Sequence, residues 1–184
     1  HNCLFVDFGK VFKDGFVTRN GDIRPPASYA TGCQQYAVIY QCQSQVQFGG
    51  VGTVHIDYDL APFVTKSFRK HMRNYLTDVN GQSVENAEII LGQHGPITLD
   101  NHKLREEMPE AVAFALKQLE REGTQASEAM YHNLNTLESR AGSQVPFTSI
   151  NFGRDTSTEG RWVSRKMLEA SIAGIGKHHL TPIF

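Results

Sequence analysis

The sequence predicts an α/β fold, with short strands as a buried layer and amphipathic helices running between them. Two kinds of segment carry that expectation. Strand-like runs occur at 3–8, apolar with aromatic and β-branched residues and too short for a helix, at 143–153, where Pro146 can start a strand, and at 181–184. Between them apolar residues recur at helical spacing with charges opposite, so the order reads β, α, α, α, α, β, α, β.

Residues 3–8 (CLFVDF) read as a buried strand followed by Gly9. Asn20-Gly21 marks a tight turn and Pro25-Pro26 a rigid extended segment. Ser28 is placed to cap a helix over 28–48 that carries Tyr29, Cys33, Tyr36, Ala37, Ile39, Tyr40 and Val46 on one side, and Gly49-Gly50 stops it. Asp57 or Asp59 caps the next helix, whose Leu60, Phe63, Val64, Phe68, Met72 and Leu76 face inward while Lys66, Arg69, Lys70 and Arg73 form a basic outer side. Periodicity fades from 77 to 102 among Asn80-Gly81, Gly92, Gly95 and Pro96, which predicts an irregular excursion. Residues 104–122 and 125–140 read as two charged helices parted at Gly123-Thr124 and ended by Gly142. Pro146 then opens a strand filled by Phe147, Ile150 and Phe152. Ser157 or Thr158 caps a helix through about Ala173, and 181–184 closes as a strand.

At 184 residues and 40% hydrophobic, the chain holds one domain's worth of globular sequence. Lys and Arg number 18 against 19 Asp and Glu, so no long-range field draws it to nucleic acid or an anionic membrane. No apolar run is long enough to span a bilayer, and no basic-then-apolar leader is visible. Cys3, Cys33 and Cys42 cannot all pair within one chain and show no zinc-ligand spacing, which points to a reducing, cytoplasmic compartment. The chain starts at His1 beside one apolar run and stops at Phe184 in another, as expected of a piece of a larger enzyme.

Three generic signals fail on inspection. Gly174-x-Gly176-Lys177 has Ser171 and His178 where a phosphate loop needs glycine and a hydroxyl. Gly49-Gly50-x-Gly52 lacks dinucleotide spacing and reads as a helix stop. His55-x-Asp57-x-Asp59 reads as a cap and solvated loop rather than a metal cluster, so no metal ligand is assigned. Cys3, taken alone, is either a small buried hydrophobe or a reactive thiol on a strand.

Three runs decide between those readings. N-C-x-x-x-D from Asn2, G-G-x-x-x-x-x-x-D-x-x-L-A-P-F-V from Gly49, and Q-x-P-F-T-x-x-x-F-G-x-x-T-S from Gln144 stand in this order. Together they resemble the catalytic-domain core of the anaerobic (class III) ribonucleoside-triphosphate reductases, a glycyl-radical family. The likeness covers nearly the whole chain and is weakest over 77–125. It implies part of a ten-stranded α/β barrel, its first half and not closed, in an oxidoreductase that makes deoxyribonucleotides for DNA synthesis. It implies that Cys3 is the thiol beneath the ribose, giving a hydrogen atom toward the 2′ carbon after water is lost. The glycyl radical, the thiyl cysteine and a zinc site lie outside these residues in the family, and formate is the reductant in many members. The chain alone is therefore expected to be inactive.

By the same resemblance, Gln144, Pro146, Phe147 and Thr148 line the substrate cavity; the alternative is that Pro146 and Phe147 only shape and fill the barrel. Loop 153–157 leads into a helix whose free N–H groups suit an anion, which nominates Thr156 and Ser157 for the substrate triphosphate. Helix 28–48 and the basic side Lys66, Arg69, Lys70 and Arg73 fall where the family forms its homodimer and binds ATP or deoxynucleotide effectors, although a basic helix side is often simply solvated. A radical-SAM iron-sulfur activating enzyme is the implied partner. Cys33 and Cys42 match no redox role and read as packing residues. Two rivals stand beside this reading: a formate-lyase-like acyltransferase on the same barrel, and a non-catalytic nucleotide-sensing or assembly module.

Overall fold

The computed structural model describes residues 3–140, 142–145 and 147–180. Pro146 and the expected strand at 181–184 lie outside the described residues. Residues 3–8 do not form one strand. β1 (Leu4–Phe5) is two residues long, and Asp7 then caps α1 (Phe8–Asp14), its Oδ1 accepting from the Lys10 N–H at 3.2 Å. β2 (Phe16–Thr18) and β3 (Gly21–Ile23) make an antiparallel hairpin around the expected turn.

α2 (Tyr29–Val46) starts at Ser28 as expected, the Ser28 Oγ accepting from the Thr31 N–H at 3.2 Å. β4 (Val51–Thr53) follows, and α3 (Ile56–Asn74) begins earlier than expected. His55 is its N-cap residue, because the Ile56 N–H is held by the Asn151 carbonyl at 3.0 Å. Asp57 and Asp59 therefore sit inside the first turn, buried rather than in a solvated loop.

The segment expected to be irregular contains a π-helical turn, Tyr75–Val79, and α4 (Val84–Gln93), started by Ser83. Only Ala87 and Leu91 of α4 are buried, too few to print a period on the sequence. α5 (His102–Glu107) leads into α6 (Pro109–Thr136), a single helix of 28 residues where two were expected. Gly123 does not break it. A Cβ there would stand 2.3 Å from the indole of Trp162, so glycine admits that ring at a helix crossing. β5 (Thr148–Ile150) and α7 (Thr158–Ala173) complete the chain, with Ser157 capping α7 through the Gly160 N–H at 3.0 Å.

β1, β4 and β5 form a parallel sheet in the order β1-β4-β5, so this is an α/β fold with a small open sheet and no closed barrel among the described residues. The helices pack as a layer in which α2 lies along α6, and α3 is wedged between α6 and α7. An aromatic cluster ties that layer to the sheet: Phe8 stacks on Tyr36 at 3.6 Å, and Phe12 meets Phe63 edge-on at 5.4 Å. The Tyr36 hydroxyl lies 2.5 Å from Thr53 Oγ1 and 3.1 Å from Asp59 Oδ2, so the polar groups under β4 are satisfied inside the core. Burial raises Asp59 above its ordinary carboxylate value, against the pull of His55, whose Nδ1 is 3.3 Å away.

Candidate active site on the open face of the sheet

Side chains alternate across a strand, so the register divides the parallel sheet into two faces. Leu4 pairs with Val51 and Val51 with Thr148; Thr53 pairs with Ile150, and these residues face the helices. Phe5 pairs with Gly52 and Gly52 with Ser149, on the opposite face. Continuing one residue back, with Leu4 N–H on the Gly50 carbonyl at 3.0 Å and Val51 N–H on the Phe147 carbonyl at 2.8 Å, sets Cys3 beside Gly50 and Phe147.

Cys3 is exposed on that second face, and Phe5 and Phe147 beside it are 59% and 56% exposed. The middle strand contributes two glycines there, so the face has a shallow trough at Gly50, closed over the buried Gly52 by Phe5 and Ser149. At Gly52 a Cβ would come within 2.6 Å of Ser149 Oγ and 2.8 Å of the Phe5 ring. These glycines are thus not merely a helix stop. Arg140 lies over the Phe147 ring, 4.6 Å from its centroid, and donates to the Phe48 carbonyl at the same end of the sheet.

The other nominated residues scatter. Thr148 is buried on the helix side, with its Oγ1 unpaired. Gln144 is exposed in a bridge to Arg140. Thr156 and Ser157 lie at the carboxyl end of β5, opposite the end that holds Cys3. The backbone N–H groups expected to await an anion in loop 153–157 are largely occupied. Those of Gly153, Arg154 and Asp155 all reach Asp57 Oδ2 at 2.8 Å, and that of Ser157 reaches Asp155 Oδ1 at 2.8 Å. A cleft of about 460 Å³ opens beside the loop, lined by Thr156, Arg161, Ser164 and Leu168 among others.

The basic side of α3 is not a free cationic strip. Arg69 and Arg73 pair with Glu88 of α4, Lys66 sits over the Phe63 ring at 4.8 Å, and Lys70 pairs with Glu122 of α6 at 3.1 Å. Glu122 also meets His71 Nε2 at 2.7 Å, Ser67 Oγ at 2.7 Å and the Ala30 N–H at 3.2 Å. Burial alone would raise Glu122, and these donors overcome it, bringing the carboxyl down to about 2. Lys70, His71 and Glu122 form one end of a groove of about 640 Å³ between α2 and α6.

Of the other thiols, Cys33 is buried and desolvation pushes it up to about 12, which makes it inert packing. Cys42, expected to pack as well, is exposed. Among the described residues no group of His, Cys, Asp and Glu could hold a metal ion, and no helix is long and apolar enough to cross a membrane. The residues missed by sequence reasoning are Phe5, Gly50, Gly52, Ser149 and Asp57. Glycines two apart beside a β-branched residue were the available signal for the trough; Asp57 stood in the run from Gly49 and in His55-x-Asp57-x-Asp59, but neither pattern pointed to the loop it holds.

A small parallel sheet with helices on one face and an exposed thiol on the other places the chain in the α/β class. The whole chain, residues 1–184, matches the sequence profile described as anaerobic ribonucleoside-triphosphate reductase, and the chain belongs to that family of oxidoreductases. It is 31% identical over 184 residues to the anaerobic ribonucleoside-triphosphate reductase of Salmonella typhimurium, and 31% identical over 186 residues to that of Escherichia coli. The enzyme of the same name from Enterobacteria phage T4 is 28% identical over 186 residues. Each match takes in 100% of this chain but only 22% of either bacterial protein and 26% of the phage protein.

Proposed function

We propose that the chain supplies one wall of the active site of an anaerobic ribonucleoside-triphosphate reductase, with Cys3 as the thiol beneath the substrate ribose. The observation that carries this is the register: Cys3 stands with Gly50 and Phe147 on the face of the sheet that the helices leave uncovered, so a ribose lying over Gly50 would meet the thiol. A glycyl radical elsewhere in the enzyme supplies the oxidising equivalent that opens the reaction at the ribose 3′ position. In this chain the work falls to Cys3. Its S–H gives a hydrogen atom to the 2′ carbon once the 2′-hydroxyl has left as water, and formate provides the reducing equivalents that close the cycle.

Phe147 packs against the sugar or base, Thr148 begins the strand behind it, and Gln144 lies in the segment that leads to it. The phosphates run toward the carboxyl end of the sheet, where Thr156 is exposed and Ser157 holds the start of α7 with its hydroxyl. The sheet is extended by the rest of the polypeptide into the ten-stranded barrel of the family. The groove between α2 and α6, with Lys70 at its end, is the effector and homodimer region, in place of the wider set Lys66, Arg69, Lys70 and Arg73. The enzyme works in the cytoplasm, activated by a radical-SAM iron-sulfur protein, and holds its zinc outside these residues.

Cys3→Ser and Cys3→Ala in the full-length enzyme test the central assignment. Nucleotide reduction should fall by a factor on the order of 10³ or more while the glycyl radical still forms. Full turnover by either variant refutes the role of Cys3. Charge reversal of Lys70 should weaken effector response or dimerisation, and a variant normal in both removes the groove from the regulatory site.

A further inference from the structure

We propose that Asp57 is the positioning residue for the 153–157 loop and, through it, for the phosphate end of the bound nucleotide; the nucleotide half rests on the function proposed above. A single oxygen, Oδ2, receives the N–H groups of Gly153, Arg154 and Asp155, each at 2.8 Å. Gly153 has φ +98°, a left-handed conformation that lets successive N–H groups converge on one point. Asp57 is fully buried and lies in the first turn of α3, where the helix dipole favours a negative charge.

The concave side of the loop is thus filled from within by the protein's own anion. A phosphate must approach from elsewhere on the loop, where Thr156 and Arg154 are exposed and Thr156 lines the adjoining cleft. Further links fix the loop to α3 as one unit. Asn151 Nδ2 donates to the Thr53 carbonyl at 2.8 Å, its carbonyl receives the Ile56 N–H at 3.0 Å, and the Tyr58 hydroxyl donates to the Arg154 carbonyl at 3.3 Å. Asp57 is the carboxylate that α3 contributes to this clasp, while Asp155 Oδ1 holds the Ser157 N–H within the loop itself.

Full-length wild type, Asp57→Asn and Asp57→Ala are compared by amide hydrogen exchange over 151–157, by ribonucleoside-triphosphate binding and by steady-state kinetics. In Asp57→Ala the amides of Gly153, Arg154 and Asp155 should exchange about tenfold faster or more, the scale of losing bonds to a charged acceptor. KM should rise by a similar factor with kcat changed less than about twofold, as expected when binding is lost and chemistry is not. Asp57→Asn, which keeps one acceptor oxygen, should fall between, and it carries the test if the alanine variant does not fold. Unchanged exchange in the variants overturns the proposal. Faster exchange with unchanged KM overturns its nucleotide half and leaves Asp57 as a clasp alone. Failure of the wild type itself to bind ribonucleoside triphosphates overturns the proposed function instead, and the exchange result still decides the hold of Asp57 on the loop.

Discussion

The two faces of the parallel sheet are built by different rules. Toward the helices β4 presents Val51 and Thr53, 1% and 0% exposed, and the hydroxyl of Thr53 is enclosed by Tyr36 and Asp59. On the other side the same strand has Gly50 and Gly52 between Cys3 and Phe5 on one flank and Phe147 and Ser149 on the other. A parallel strand packed on both faces reads as a continuous β-branched run. Here the pattern is β-branched on one face and absent side chains on the other. Packing selects the first face; on the second, Gly52 admits the Phe5 ring and Ser149, and Gly50 leaves open surface beside Cys3.

The largest expected effect sets one aromatic from each face against the other. Phe8, fully buried and stacked on Tyr36, should cost about 3–5 kcal/mol of stability as Phe8→Ala. Phe5, 59% exposed over the trough, should cost less than about 1 kcal/mol as Phe5→Ala. Urea denaturation of both variants in the same background measures the difference. Equal costs would mean that the open face is packed in solution, and the contrast between faces would be lost.

How much of this the sequence disclosed follows the same division. α2, with Ser28 as its cap, and α7, with Ser157 as its cap, were legible because each buries a periodic stripe and starts at a hydroxyl placed to take an N–H. α4 was not, because only two of its residues are buried. Gly123 read as a helix break because glycine disfavours helices; its reason for being there, the Trp162 ring, is 39 positions away in sequence and comes into view only once α6 and α7 pack. At the site, the run from Asn2 nominated Cys3, and the run from Gly49 contained Asp57 without disclosing what it holds. Its partners are the backbone of a loop 96 to 98 residues away, and backbone donors leave no mark on composition.

A second experiment on the helix side exploits charge. Glu122 joins α2, α3 and α6, and its carboxyl lies at about 2 in the folded protein against an ordinary 4.5. A value depressed by folding stabilises fully above 4.5, and the contribution is lost as pH falls toward about 2. Thermal melts from pH 6 to pH 2 should therefore show a loss of stability in that window, and Glu122→Gln should flatten part of it. Glu120, also about 2 where Arg165, Lys166 and Trp162 outweigh its burial, keeps the remainder. An acid profile identical in wild type and Glu122→Gln would show that the Glu122 cluster contributes nothing to holding the helix layer together.

The smallest change in stability is expected where a single methyl enters the trough. Gly52→Ala puts a carbon 2.6 Å from Ser149 Oγ and 2.8 Å from the Phe5 ring, contacts too short to stand. Both neighbours are side chains on an uncovered face, so Ser149 can change rotamer and Phe5 can swing outward, at a cost within about 1 kcal/mol. Gly123→Ala brings the same methyl against a buried indole at 2.3 Å, where nothing can yield cheaply, and should cost about 1–3 kcal/mol. The two variants therefore separate room kept for packing from room kept for a ligand. If the trough receives the ribose, Gly52→Ala in the full-length enzyme should lower nucleotide turnover several-fold while its melting temperature barely moves. A variant that melts early but turns over normally when folded would place the need for Gly52 in the strand itself, and the open face would lose its claim to be the substrate side.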